Sequence, residues 1–212
     1  MISPSALLLD LDGTVADSLP AMRHAYDAFL GQFHIEPTDA EFNALNGPTL
    51  AEVVRRLRVS HALDMDESIL IARYLHVVDQ AYASVLPRHG TEELLRNAKS
   101  HLCEIAIVTS NTSRRAHTWL NTVGLSHYVD FVVSGDDVTR GKPDPEPYRT
   151  AAMRMQCSLA QIVAVEDSPQ GAKSAVDAGL NTFVLTGEFM REIWPNGVIP
   201  ISSLGSLAQK LW

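Results

Sequence analysis

The segment Leu7-Leu8-Leu9-Asp10-Leu11-Asp12-Gly13-Thr14 constrains this chain more than any other. A short apolar run stops at a carboxylate, and a second carboxylate follows two residues later. Burying a run up to Leu9 and then placing Asp10 at its end is costly unless something pairs with the charge. Two carboxylates about 4 Å apart repel by about 4 kcal/mol at an effective dielectric near 20. A divalent cation removes that conflict. The segment therefore predicts a strand over residues 6–10 that delivers a nucleophile and a metal ligand to a site at the strand's end.

The rest of the chain predicts where that site sits. Ser18 and Pro20 suit the start of a helix running to about Phe33. Thr38-Asp39-Ala40-Glu41 and Thr49-Leu50-Ala51-Glu52 have the spacing of capping boxes. Leu50, Val53, Val54 and Leu57 mark one apolar face, and residues 66–85 carry a further helical period. Residues 17–86 thus read as an all-helical block. From residue 91 the pattern alternates: helix 91–99, strand 104–109, helix 113–123, strand 131–133, helix 145–155, strand 161–165, helix from Pro169 to Ala178, strand 181–185. A short helix is expected at 204–212. Strand–helix alternation predicts a doubly wound parallel sheet, an α/β fold of Rossmann type. Ligands in such sheets bind beyond the carboxyl ends of the strands. Asp10, Thr109 and Glu166-Asp167 each follow directly on an apolar strand, so three strands are expected to send polar groups to one edge.

In order along the chain, these residues resemble the four motifs of the haloacid dehalogenase superfamily. Asp10-x-Asp12-Gly13-Thr14 is similar to the first, Thr109 to the second, Lys142 in Gly141-Lys142-Pro143 to the third, and Glu166-Asp167-Ser168 with Gly171 to the fourth. The resemblance implies a Rossmann-like core, residues 1–16 and 87–212, with an α-helical cap inserted at 17–86. It implies Asp10 as nucleophile, Asp12 as general acid/base and Lys142 as a third catalytic residue paired with Asp10. Thr109, Lys142, the neighbouring Ser110 and Asn111, and Gly47 in the cap loop 46–49 would bind substrate. Mg2+ would be held by Asp10, Asp12 (through its carbonyl), Asp167 and Glu166, the last directly or through water. The implied partner is a small-molecule phosphate ester, and the implied reaction is its hydrolysis through an aspartyl-phosphate. A β-phosphoglucomutase-like phosphomutase is the enzymatic alternative, and a non-catalytic regulatory protein of the same fold is the other.

Several chemistries are disfavoured by the residues themselves. The net charge of −8 argues against general nucleic-acid binding. No apolar stretch approaches the ~20 residues of a membrane span. Cys103 and Cys157 read as reduced core cysteines of a cytoplasmic protein, a disulfide being the alternative; the chain is expected to be a monomer or homodimer. No histidine pair has helical zinc spacing, Lys142 lacks the P-loop context, and neither a Gly-x-Ser-x-Gly elbow nor a Gly-x-Gly-x-x-Gly turn is present. Within the superfamily, Asp12 disfavours a dehalogenase. Residues 17–86 contain no lysine, which excludes the Schiff-base phosphonate hydrolases. Pro48-Thr49-Leu50 stands where the mutases carry an arginine for a second phosphate.

Overall fold

The computed structural model of the chain describes residues 4–45, 48–186 and 194–212. Gly47, the expected loop glycine, lies outside the described residues. Six strands form one parallel sheet: β1 (Ala6–Leu9), β2 (Glu104–Val108), β3 (Phe131–Val133), β4 (Ile162–Glu166), β5 (Asn181–Leu185) and β6 (Ile199–Ile201), in the order β3-β2-β1-β4-β5-β6. This is the α/β architecture expected from the alternating pattern. β6 is the element that the sequence pattern does not announce, because Ile199-Pro200-Ile201 is short and two of its three residues are exposed. It adds at the free edge beside β5, where a proline is tolerated.

Burial on both faces explains the near-continuous apolar runs of the strands. Leu7, Leu9, Ile105, Ile107, Val163 and Val165 face one cluster, and Ala6, Leu8, Ala106, Val108, Ile162 and Ala164 face the other. The first face is covered by α5 (Thr91–Ser100), α6 (Ser113–Thr122) and α9 (Leu204–Leu211), and the second by α7 (Glu146–Arg154) and α8 (Pro169–Asp177). The pairing register sets the height of the strand ends. Leu9 lies opposite both Ile107 and Val165, so β1 ends one residue short of its two neighbours and Asp10 stands level with their last residues. The Asp10 amide, one residue past β1, still donates to the Val165 carbonyl (3.0 Å).

Between β1 and α5, the described residues form helices and no named strand: α1 (Leu19–Gly31), α2 (Asp39–Ala44), α3 (Leu50–Ser60) and α4 (Glu67–Tyr82). Their apolar faces join the cluster on the first sheet face without a break. The chain leaves and re-enters the sheet region side by side. Ala16 bridges Pro87, the Asp17 amide donates to the Leu86 carbonyl, and the Arg88 amide donates to the Val15 carbonyl. The helix starts differ from expectation in detail. Thr38 and Thr49 cap the amides of Glu41 and Glu52, but Glu41 turns to Tyr26 and His61, and Glu52 turns to Arg55 and Arg56. Ser18 makes no side-chain cap. Its hydroxyl is used elsewhere.

Candidate active site

Two adjacent strand ends, those of β1 and β4, place the sequence-predicted carboxylates together. Oxygens of Asp10, Glu166 and Asp167 all lie within 4.8 Å of one another. Lys142 enters from the loop before α7, with its ammonium 2.5 Å from Asp10 and 2.6 Å from Glu166, while also donating to the Val108 carbonyl. That loop is braced by Glu146, whose carboxylate accepts the amides of Thr139 and Arg140. Lys142 is thus an internal cation held by two carboxylates.

One ammonium does not neutralise this cluster. Burial, then the charges of Glu166 and Asp12, push the Asp10 carboxyl up to about 8 against the pull of Lys142. Burial and the carboxylates of Asp10 and Glu166 push Asp167 well above the usual range. Lys142 goes up as well, because Asp10 and Glu166 together outweigh the penalty of burying its charge. The buried Oδ2 of Asp167 finds no hydrogen-bond donor among the described residues. A set of hard oxygen donors with one orphaned oxygen fits a hard divalent cation. Asp10 and Asp167 are the direct candidates. The Glu166 carboxylate is already engaged by Lys142, the Tyr148 hydroxyl (2.7 Å), the Ser168 hydroxyl and the Asp167 amide. That arrangement suits a residue that orients its neighbours.

Two glycines make the cluster possible. Gly13 has φ +80°, and a Cβ there would lie 1.9 Å from the Asp167 carboxylate. A Cβ on Gly171 would lie 2.0 Å from that of Glu166. Backbone occupies both places because any side chain would displace a carboxylate.

Asp12 sits two residues beyond Asp10 and has its own shell. It accepts hydrogen bonds from the Ser18 hydroxyl (2.7 Å), the Tyr82 hydroxyl (2.7 Å) and the Asn111 amide (3.2 Å). Asn111 is in turn held by Arg115, a buried guanidinium whose other nitrogens reach Asp79 on α4 (2.6 and 2.8 Å). Thr109 is buried at the end of β2, and its hydroxyl accepts the Asn111 amide (3.0 Å), which shapes the turn carrying Ser110 and Asn111. Ser110, Asn111, Lys142, Asp10, Asp12 and Asp167 line a cavity of about 70 Å³ whose other wall comes from the helical block. Thr109 and Glu166 stand behind that lining. Tyr82, Arg115, Asp79 and Tyr148 escaped sequence reasoning. Each sits on the buried or half-buried face of a helix, and only their partners in the fold distinguish them from packing residues.

Two neighbouring strand ends bearing a carboxylate pair and a second acidic pair, with a buried lysine brought in from the loop before α7, form a candidate cation-binding α/β site. The sequence pattern of the haloacid dehalogenase-like hydrolases matches residues 7–185, and the chain belongs to that family. It is 30% identical over 181 residues to a validoxylamine A 7'-phosphate phosphatase of Streptomyces hygroscopicus subsp. limoneus, covering 84% of each chain. It is 28% identical over 214 residues to a phosphoglycolate phosphatase of Rhodospirillum rubrum, covering 97% of this chain and 86% of that one. The crystal structure of CbbY from Rhodobacter sphaeroides in complex with phosphate shares the fold, with a TM-score of 0.83 at 22% identity over 96% of each chain. Among the described residues no helix is long and apolar enough to cross a membrane.

Proposed function

We propose that this chain is a Mg2+-dependent phosphatase that hydrolyses a small-molecule phosphomonoester. The observation that carries the reading is the convergence of Asp10 and Asp167 at adjacent strand ends with Lys142, from the loop before α7, and Asp12 beside them. Phosphatase relatives such as that of R. rubrum support it. Asp10 would attack phosphorus through its carboxylate, forming an acyl-phosphate as the ester oxygen leaves. Asp12 would protonate the leaving oxygen and then take a proton from the water that cleaves the aspartyl-phosphate. Lys142 holds Asp10 in place and opposes the negative charge on the transferring group. The turn at Thr109, Ser110 and Asn111 supports the phosphate. Asp10, Asp167 and the Asp12 carbonyl would hold Mg2+, with Glu166 orienting them. When bound, the ion supplies charge neutralisation on the phosphate oxygens.

Residues 17–86 act in this reading as a cap over a core of 1–16 and 87–212, with hinges at the paired crossings near Ala16 and Pro87. The mutase alternative is weaker. Pro48 and Leu50 line the cavity where a mutase would offer an arginine, and Arg55 and Arg56 pair with Glu52 instead. The test is phosphate release from a panel of phosphomonoesters, with Mg2+ or with chelator, for wild type and Asp10→Asn. Metal-dependent release that vanishes in the variant is expected. Release that survives Asp10→Asn would refute the covalent route, and transfer to a sugar with no release to water would favour the mutase.

A further inference from the structure

The wall opposite the carboxylates has a composition that selects among phosphate esters. It is built from α1, α2, α3 and α4, and its side chains Leu19, Met22, Phe42, Leu45, Leu50 and Val53 are all apolar. The helical block is not short of cations: residues 17–86 contain five arginines. None of the five lines the cavity. Arg23 pairs with Asp27 and Asp39, Arg55 and Arg56 with Glu52, and Arg58 approaches Glu67. Arg73 points to solvent. Among the described lining residues the single cation is Lys142, already shared between Asp10 and Glu166. One polar side chain breaks the wall. Tyr74 is almost fully buried and lines the cavity, and its hydroxyl makes no hydrogen bond to a described residue.

We propose that the substrate is the phosphomonoester of a neutral alcohol, with a hydroxyl in its leaving group that pairs with Tyr74. This inference rests on the phosphatase reading. A carboxylate or second phosphate on the leaving group would be stripped of water against aliphatic carbon, facing Asp10, Asp12 and Asp167, with no free cation among the described lining residues to receive it. A hydroxyl at the same position would meet the Tyr74 hydroxyl, which has no hydrogen-bond partner among the described residues, so the wall rejects the acid and accepts the alcohol of the same size.

The experiment compares esters of matched size that differ in charge. In Mg2+, kcat/KM is measured for 2-hydroxyethyl phosphate against phosphoglycolate, with p-nitrophenyl phosphate as a reference ester. We expect the neutral ester to be preferred by about 100-fold or more. Leu50→Arg should raise the relative rate on phosphoglycolate and narrow that ratio. Tyr74→Phe should lower kcat/KM for 2-hydroxyethyl phosphate about tenfold, roughly what one hydrogen bond supplies, and leave ethyl phosphate unchanged. Equal or better use of phosphoglycolate by the wild type overturns the proposal and leaves the phosphatase reading standing. An equal loss on ethyl phosphate in Tyr74→Phe removes the hydroxyl contact. No release from any ester, p-nitrophenyl phosphate included, defeats both.

Discussion

At the scale of single residues, the site is a problem of placing too many carboxylates in one buried spot, and the neighbours of each carboxylate say what it is for. Asp12 is held by three donors, one of which, Tyr82, comes from the far end of the helical block. Tyr82→Phe should lower kcat/KM by roughly 10-fold or more, since a hydrogen bond to a charged group contributes about 1.5–3 kcal/mol. The loss should be larger on an alkyl phosphate than on p-nitrophenyl phosphate, whose phenolate leaves without a proton. An equal loss on both would show that Tyr82 only packs. Gly171→Ala should cost activity and stability together, on the order of 2 kcal/mol in a thermal or urea melt, because the added methyl falls on the Glu166 carboxylate. Asp10, Glu166 and Asp167 were legible in the sequence because charge placed at the end of an apolar strand demands a partner, whereas Asp12 and Lys142 were legible through their resemblance to family motifs. Tyr148 and Tyr82 were not, because their value lies in contacts with Glu166 and Asp12 that span 18 and 70 residues of chain.

At the scale of elements, strands and helices of the core follow from apolar run length, proline and glycine placement, and caps. The parallel sheet was readable because β1, β2 and β4 are buried on both faces and carry few polar residues. β6 was not, since an exposed edge strand lacks that signature. Ser18 shows the limit of cap reasoning: its hydroxyl lies at a helix start, yet a nearby carboxylate competes for it and wins. Between elements, the ion pair of Asp79 on α4 with Arg115 on α6 ties the helical block to the core. The two partners differ in burial, with Arg115 at 4% side-chain exposure and Asp79 at 39%. Asp79→Ala should therefore destabilise more than Arg115→Met, by about 1–2 kcal/mol, because it strands a buried guanidinium while the other change removes it. Chemical denaturation of the two variants measures this, and the reverse order would contradict the assignment.

For the molecule as a whole, the acidic cluster makes stability depend on pH and, on the proposed reading, on metal. Asp10 rises from 3.8 to about 8 on folding, and Asp167 also rises. Between those values the folded protein holds protons that the unfolded chain has released, so stability falls as pH rises through this window. Lys142, also raised, has the same sign but acts only in the alkaline range. In chelator the melting temperature should drop steadily from about pH 5 to 8. On the proposed reading Mg2+ should offset the drop increasingly as pH rises, because it would bind the ionised carboxylates. A flat profile in chelator would refute this account. The strain is concentrated on the residue assigned as nucleophile, which has a practical side. Asp10→Asn keeps the shape, leaves Lys142 its bond to Glu166, and removes one of the mutually repelling charges. The inactive protein should then outlast the active one on heating, a sturdy bait that can hold its uncut ester long enough for mass spectrometry to weigh it.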